Sequence, residues 1–511
     1  MSALFTTRGA TRTLVIICLS ILAIHLVKAQ PLDWQDRENF REAKVNKPLG
    51  QGAGFSLLSS KATGIQFTNT LSRVRMMNAN LLNGAGVASG DVDGDGLCDI
   101  YVCSLDGENG LFKNLGGWKF KDISLEAGVG APGMSSTGAV FGDLDGDGDL
   151  DLFVSSCGGP NALFINDGKG KFSNQTKAAG LEAPKIGSTS VAMGDIDSDG
   201  DLDIYVTNYG ETSVLRSGGK VTVRTVNGKK VVTGRYSNRI RIVKGNFVEV
   251  GEPDFLYLND GSAKFVKVDW LDGNWLDEAG KPIKKEFWDL GLSVMIRDIN
   301  QDGLPDIYNC NDFQTPDRLW INKGNGKFQL VNEMAIRHRS YFAMAVDFAD
   351  INRDGNDDFF VADMMSPKHL LEMTQIGVTN PFAKPIDELI DRPIIHRNTL
   401  YVNRGDNTYM ETANYSGVSA SEWTWGSTFM DVDLDGLEDL LIANGHAFDT
   451  QDLDTIERTS KLGSLPVSQS RKKIFLFPPL AVPNMIYRNI GSLKFDEVGK
   501  DWGFNSKNVS H

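Results

Sequence analysis

Gly142-Asp143-Leu144-Asp145-Gly146-Asp147-Gly148-Asp149-Leu150-Asp151, running into the apolar stretch Leu152-Phe153-Val154, decides how the rest of the chain is read. Four carboxylates at loop positions 1, 3, 5 and 9 with a glycine at position 6 make a metal-binding turn. Ca²⁺ is a hard cation that takes six to eight oxygens in flexible geometry, and the carbonyl at position 7 can add another. A glycine at position 6 permits the sharp turn, where a Cβ would be strained. The apolar residues that follow are too few for a helix and suit a buried strand.

The same D-x-[DN]-x-D-G-x-x-D pattern occurs six times. It first appears at Asp91, Asp93, Asp95 and Asp99, then at Asp143, Asp145, Asp147 and Asp151. The third and fourth copies are Asp195, Asp197, Asp199 and Asp203, and Asp298, Asn300, Asp302 and Asp306. The last two are Asp350, Asn352, Asp354 and Asp358, and Asp431, Asp433, Asp435 and Asp439. Successive copies start 52, 52, 103, 52 and 81 residues apart, which is the signature of a repeat architecture. Six such loops imply up to six Ca²⁺ ions. Asn300 and Asn352 keep an oxygen but lower the charge, so those two sites are expected to bind more weakly. An EF-hand would need Glu at position 12. Position 12 is instead Val102, Val154, Val206, Asn309, Val361 and Ile442, which excludes that motif. Mg²⁺ fits less well, because it retains waters and seldom sits in a full protein cage.

Each loop leads into a strand apolar on both faces, such as Asp203-Ile-Tyr-Val-Thr-Asn208. A shorter strand ending in Asn follows, as in Leu163-Phe-Ile-Asn166 and Leu400-Tyr-Val-Asn403. An aromatic-centred strand comes next, at Phe120, Phe172, Phe265, Phe328, Tyr409 or Phe495, and a Gly/Ser-rich strand precedes each loop. Four strands per unit of about 50 residues describe a propeller blade, so the expected fold is all-β, a β-propeller of four-stranded blades. The long intervals are read as insertions near 210–252, 364–397 and 446–483. In the first, Asn227-Gly228 marks a β-hairpin turn. An aromatic strand at Gly64-Ile-Gln-Phe67 precedes any loop, and the chain ends after a complete aromatic strand at Phe495. The expectation is a seven-bladed ring whose last blade is incomplete in this chain, with Phe67 on its outer strand. A six-bladed ring with a redundant first strand is the alternative.

The first residues stand apart. Arg8 and Arg12 precede an apolar run from Leu14 to Val27, and Val27-Lys28-Ala29 offers cleavage before Gln30. This layout predicts a signal peptide over 1–29, a lead segment over 30–60 and the repeat domain over 61–511. A secreted, periplasmic or extracellular protein follows, with no membrane span after cleavage. Cys103 and Cys157 can pair between neighbouring repeats; free thiols are the other option.

The net charge of −14 belongs to the loops. They hold 22 carboxylates, so the rest of the chain is net basic by eight. Nothing here is a nucleic-acid-binding pattern, and no nucleophile elbow, zinc-protease helix, phosphate loop or dinucleotide fingerprint occurs.

Loops of the form Gly142 to Asp151 resemble FG-GAP repeats, as found in the integrin α-subunit propeller. Arg397-Asn398-Thr399-Leu400-Tyr401-Val402-Asn403-Arg404-Gly405-Asp406, with Asn444-Gly445-His446, is similar to the cartilage-acidic-protein-like family, often associated with an ASPIC/UnbV domain. The resemblance covers roughly residues 60 to 511. It implies a seven-bladed propeller, an extracytoplasmic location and Ca²⁺ in the loops, and it implies little about a reaction.

The expected function is an adhesion or interaction module that binds an unknown protein or polysaccharide, with no catalytic or cofactor-binding residue assigned. The alternative is an extracytoplasmic polysaccharide lyase or hydrolase, its site in the insertions opposite the calcium loops. Candidate contact residues are the strand-end polar groups Ser104, Ser156, Asn208, Asn311, Asp363 and Asn444. The basic first insertion adds Arg216, Lys220, Arg224, Lys229, Lys230, Arg235, Arg239, Arg241 and Lys244. His446 near Asp449, Asp452 and Asp454 is a candidate metal or acid/base group, and Trp423 with Trp425 a candidate sugar platform.

Overall fold

A computed structural model describes residues 34–36, 41–43, 52–69, 71–73, 84–182, 185–215, 220–375, 392–463 and 465–507. The predicted signal peptide, Cys18 and Arg216 lie outside these residues. The chain divides into two compact units, Met1–Gly52 and Ala53–His511. In the first, Trp34–Asp36 pairs antiparallel with Arg41–Ala43.

The second unit contains six sets of four antiparallel strands in chain order, one for each loop; the sets of blades 2 and 3 are joined through the pairing of Gly187 with Cys157, and blade 4 carries a fifth, parallel strand, Trp275–Leu276. Blade 2 shows the plan. Its inner strand Ser136–Gly142 pairs with Asp151–Gly159, which pairs with Ala162–Asn166, which pairs with the outer strand Phe172–Asn174. Blade 1 spans Val87–Gly90 to Phe120–Asp122, and blade 3 spans Ile186–Gly194 to Phe265–Lys267. Blade 4 runs from Gly291–Arg297 to Phe328–Leu330, blade 5 from Ala345–Ala349 to Tyr409–Glu411 and blade 6 from Thr424–Met430 to Phe495–Glu497. The result is an all-β propeller. Its inner strands surround an axial cavity of about 280 Å³, where Gly86, Thr137, Thr189, Ser293, Met344 and Trp425 represent the six blades.

The second strands are apolar on both faces because each lies between two neighbours. Leu152 and Val154 pack with Tyr101 of blade 1, whereas Phe153, one residue between them, packs with Ile204 and Val206 of blade 3. Phe359 and Phe360 divide likewise between blades 4 and 6. Each of these side chains is fully buried, an arrangement that stabilises by about 2–3 kcal/mol per residue relative to exposure. The inner-strand glycines permit the close approach: a Cβ at Gly142 would meet Met193 Sδ at 2.8 Å, and one at Gly194 would meet Ile296 Cγ2 at 2.7 Å.

The linker after blade 2 places a backbone carbonyl, just before a left-handed glycine, over the next outer strand, and the linker after blade 4 places a carbonyl there without the glycine. The amide of Phe265 donates to Ala179 O, just before Gly180, at 2.9 Å, and that of Tyr409 donates to Ala335 O at 2.9 Å. After blade 6 the equivalent carbonyl is Trp502 O, just before Gly503. It receives the amide of Phe55, at 2.7 Å, and the rings of Phe55 and Phe504 lie 5.2 Å apart. Phe55, not Phe67, therefore holds the place of a further outer strand. Phe67 instead packs edge-on against Phe112 of blade 1. The segment from Ala53 to Asn69 thus spans the seam between blades 6 and 1. Arg73 adds a contact there, stacking over Phe475 at 4.4 Å.

All three insertions join the second strand of a blade to its third and so leave the face opposite the aspartate loops. The first contains the hairpin Thr222–Val226 and Lys229–Thr233, turned by Asn227 and Gly228 at positive φ as expected. The third contains the helix Leu453–Ser460. Among the described residues no helix is long and apolar enough to cross a membrane. Cys98, Cys103, Cys157 and Cys310 form no disulfide.

Candidate metal centres

The six aspartate loops fold alike. Position 1 organises the turn: Asp195 Oδ1 accepts the amide of Asp199 at 3.0 Å and its Oδ2 that of Gly200 at 3.1 Å. Asp298, Asp350 and Asp431 repeat both bonds to positions 5 and 6. The position-6 glycines all lie at positive φ, from 84° at Gly96 to 101° at Gly200, as the turn demands.

Position 9 does a different job. Asp99, Asp151, Asp203, Asp306, Asp358 and Asp439 are all essentially buried. Asp151 Oδ2 accepts the amide of Leu144 at 3.0 Å, and Oδ1 accepts that of Asn166 at 2.9 Å. Every copy repeats this staple, tying the loop to the third strand of its own blade. Burial pushes Asp151 and Asp439 up to about 6, and Asp203, Asp306 and Asp358 up to about 7. Nearby loop carboxylates push the same way.

In blades 2, 3, 4 and 6 the Asn that ends the third strand carries a linkage across blades. Asn259 Nδ2 donates to Leu144 O, Asn322 Nδ2 to Ile196 O and Asn489 Nδ2 to Ile351 O, at 2.8, 2.8 and 2.9 Å. Each acceptor is position 2 of the preceding blade's loop. Loops 1, 2, 3 and 5 are thus fastened to their own blade by Asp and to the next by Asn.

Position 3 is where a cation fits. One buried oxygen of Asp93, Asp145 and Asp197, Oδ1 in each, has no hydrogen-bond partner. Such an orphan is costly in the absence of a counter-ion. Burial first and neighbouring aspartates second raise the pKa of Asp145 and Asp197. Ligand oxygens of Asp91, Asp93 and Asp99 lie within 4.8 Å of one another, as do those of Asp143, Asp145 and Asp151. Asp195, Asp197 and Asp199 form a third such group, and Asp431, Asp433 and Asp439 a fourth. These clusters can hold metal ions. In the two Asn-containing loops the amide oxygens of Asn300 and Asn352 are engaged by Asp302 and Asp354 amides, and Asn352 Nδ2 itself donates to Asp354.

The opposite face differs from expectation. Ser104, Ser156, Asn208, Asn311, Asp363 and Asn444 are buried, not exposed at a binding surface. Their amides donate to Asn109, Asn161, Asp254, Asp317, Asn398 and Asn484, at 2.7–2.8 Å. This second polar repeat went unread; its signal is an Asn or Asp two residues before the Leu or Ile of each third strand. His446 is 3 % exposed and stacks on Trp423, with ring centroids 4.6 Å apart. Its Nδ1 lies 2.6 Å from Phe448 O, and burial depresses its pKa to about 4. Asp452 caps the helix at Thr455, and Asp449 accepts from Gln375 and Gln451. No acidic cluster forms around His446 among the described residues, and Trp423 is buried in the core instead of forming a platform. Arg239 is buried too, held by Val250 O, Glu249 and Glu252. Lys220, Arg224, Lys229, Lys230, Arg235 and Lys244 remain exposed.

Residues 91–154, 143–206 and 298–361 match the FG-GAP-like repeat family. Cartilage acidic protein 1 of Mus musculus is 29% identical over 132 residues, which is 24% of this chain and 20% of that protein. The Homo sapiens protein is 30% identical over 132 residues, covering 24% and 19%. The chain therefore aligns with only about a fifth of these relatives. Among solved structures, an Agrocybe aegerita lectin that recognises non-reducing terminal N-acetylglucosamine aligns with a TM-score of 0.30 and 16% identity, over 83% of this chain and 98% of the lectin.

Proposed function

We propose that this chain, an FG-GAP-repeat protein related to the cartilage acidic proteins, is a secreted calcium-binding propeller that serves as an interaction module. The observation that carries the calcium reading is the orphaned position-3 oxygen of Asp93, Asp145 and Asp197, each within a tight group of aspartates. Carboxylate-rich, flexible oxygen cages suit Ca²⁺ better than Mg²⁺. The ligands would come from positions 1, 3, 5 and 9 of the six loops. An ion there would relieve repulsion among aspartates that the Asp and Asn staples hold in place. Binding and blade docking are then coupled.

The interaction surface is the insertion face, where the exposed lysines and arginines between Lys220 and Lys244 suit an acidic protein or polysaccharide. The layout of residues 1–29 supports secretion. The enzyme reading has less support: Asp363 is occupied by Ser340 and the amides of Tyr341, Phe342 and Met364, and His446 is packed between indoles.

The test is a thermal melt of the full chain in Ca²⁺ and in EGTA. A midpoint that falls in EGTA and returns with Ca²⁺ but not Mg²⁺ supports the reading; identical midpoints in all three buffers sink it.

A further inference from the structure

Two of the six loops face a cation that the chain itself supplies. The residue before the terminal Asn of the third strand is Lys113 in blade 1 and Arg488 in blade 6. Lys113 Nζ contacts Asp93 and lies 2.9 Å from Asp95. One terminal nitrogen of Arg488 lies 2.5 Å from Asp433 and 2.9 Å from Asp435. Both side chains thus reach positions 3 and 5 of their own loop. The matching residues in the other blades are Ile165, Leu258, Ile321 and Val402, which carry no charge. Among the described residues, no ion pair reaches the position-3 and position-5 carboxylates of loops 2 and 3.

We infer that Lys113 and Arg488 are resident counter-cations that weaken metal binding at loops 1 and 6, leaving loops 2 and 3 as the tight sites. The inference rests on the calcium reading above and adds an order of occupancy to it. A metal ion at positions 3 and 5 must either displace the ammonium or guanidinium group or share the carboxylates with it. Displacement gives up charge-assisted hydrogen bonds, and sharing brings like charges together. Either way the affinity falls. The same two groups neutralise part of their loops when no ion is bound. The ring therefore carries three kinds of loop: fully acidic at 2 and 3, amide-substituted at 4 and 5, and internally paired at 1 and 6.

The experiment is calorimetric titration of the full chain with Ca²⁺, in wild type, Lys113→Ile, Arg488→Ile and Ile165→Lys. The isoleucine replacements copy what blades 2 and 4 already carry. Each should tighten one weak site about tenfold or more, a change worth about 1.4 kcal/mol per factor of ten. Ile165→Lys should do the reverse and remove one tight site, so a misfolded isoleucine variant does not rescue the idea. Melts give an independent readout: Lys113→Ile should lose more stability in EGTA than in Ca²⁺. A purely structural role would lower both equally, and that result overturns the proposal. Unchanged site affinities in all three variants, with Ca²⁺ still bound, overturn it while sparing the calcium reading. No Ca²⁺ bound by any of the four proteins overturns both.

Discussion

Asn166 donates its side-chain amide to the carbonyl oxygen of Val92, 2.8 Å away in the aspartate loop of the preceding blade. The same NH₂ group also bonds Leu150 O at 3.1 Å. Asn166→Ala leaves both carbonyls without that donor and should cost about 2 kcal/mol. The side-chain NH₂ of Asn114 donates to Cys98 O, within its own blade and at a more exposed position. Asn114→Ala should therefore cost less than about 1 kcal/mol. Urea unfolding midpoints of the two variants provide the comparison, and equal shifts would contradict a bond between blades.

Two aspartates of one loop should respond to substitution with opposite signs when no metal is present. Asp145 has an orphaned oxygen and raised pKa, so Asp145→Ala in EGTA should leave the melting temperature unchanged or raise it. Asp151 holds the amides of Leu144 and Asn166, so Asp151→Ala should cost about 3 kcal/mol in the same buffer. In Ca²⁺ both variants should be less stable than wild type and bind one ion fewer.

Asp254 should make the protein less stable as pH rises from about 4 to about 7. Burial pushes it up to about 7, while its oxygens accept from Asn208, Tyr205 and Asn309. An acid whose folded pKa is raised contributes stability that is complete below its unfolded value, near 3.8, and is lost as pH rises through about 7. Asp254→Asn removes the titration, and four blades already use Asn at this place. Asn309 can turn its unpartnered oxygen to accept the new NH₂ group. The difference in stability between pH 5 and pH 8 should shrink by up to about 3 kcal/mol, measured by denaturant titration at both pH values.

Closure of the seam should hinge on a glycine. Gly503 sits at φ 72°, and a Cβ there would lie 2.4 Å from Phe55 O. Gly503→Val should release the segment 53–60 from the last linker. Hydrogen exchange at Phe55 should then rise to the rate of an exposed loop while the blade 3 strands keep their protection. Unchanged exchange at Phe55 would place the closing contact elsewhere.

The repeats made most of this legible, because an aspartate loop, a two-faced strand and a terminal Asn each impose their own residue types at fixed spacing. The Asx series from Asn109 to Asn484 escaped because it lies beyond connections of very different length. Between Ser104 and Asn109 the chain is short; between Asn208 and Asp254 it holds the whole first insertion. Counting back from the third strand restores the register. Phe55 escaped because it forms no regular strand, although its distance to Gly64 nearly matches that from Phe172 to Gly180. The strand-end residues misled because a polar side chain at a strand end satisfies a buried amide network as readily as it meets solvent. The internal pairing of Lys113 and Arg488 depends on side-chain reach across a strand, which no spacing encodes.

The bond from Phe55 to Trp502 also sets a schedule. Its two partners leave the ribosome about 450 residues apart, roughly half a minute or more at ordinary synthesis rates. Blades 1 to 6 can stack one upon another as they emerge, each covering the exposed side of its predecessor. The leading segment has no such partner until the far end of blade 6 arrives. During that interval Phe55 and the open side of blade 1 are uncovered apolar surface, and the nascent chain is at its most vulnerable to aggregation before the ring is joined.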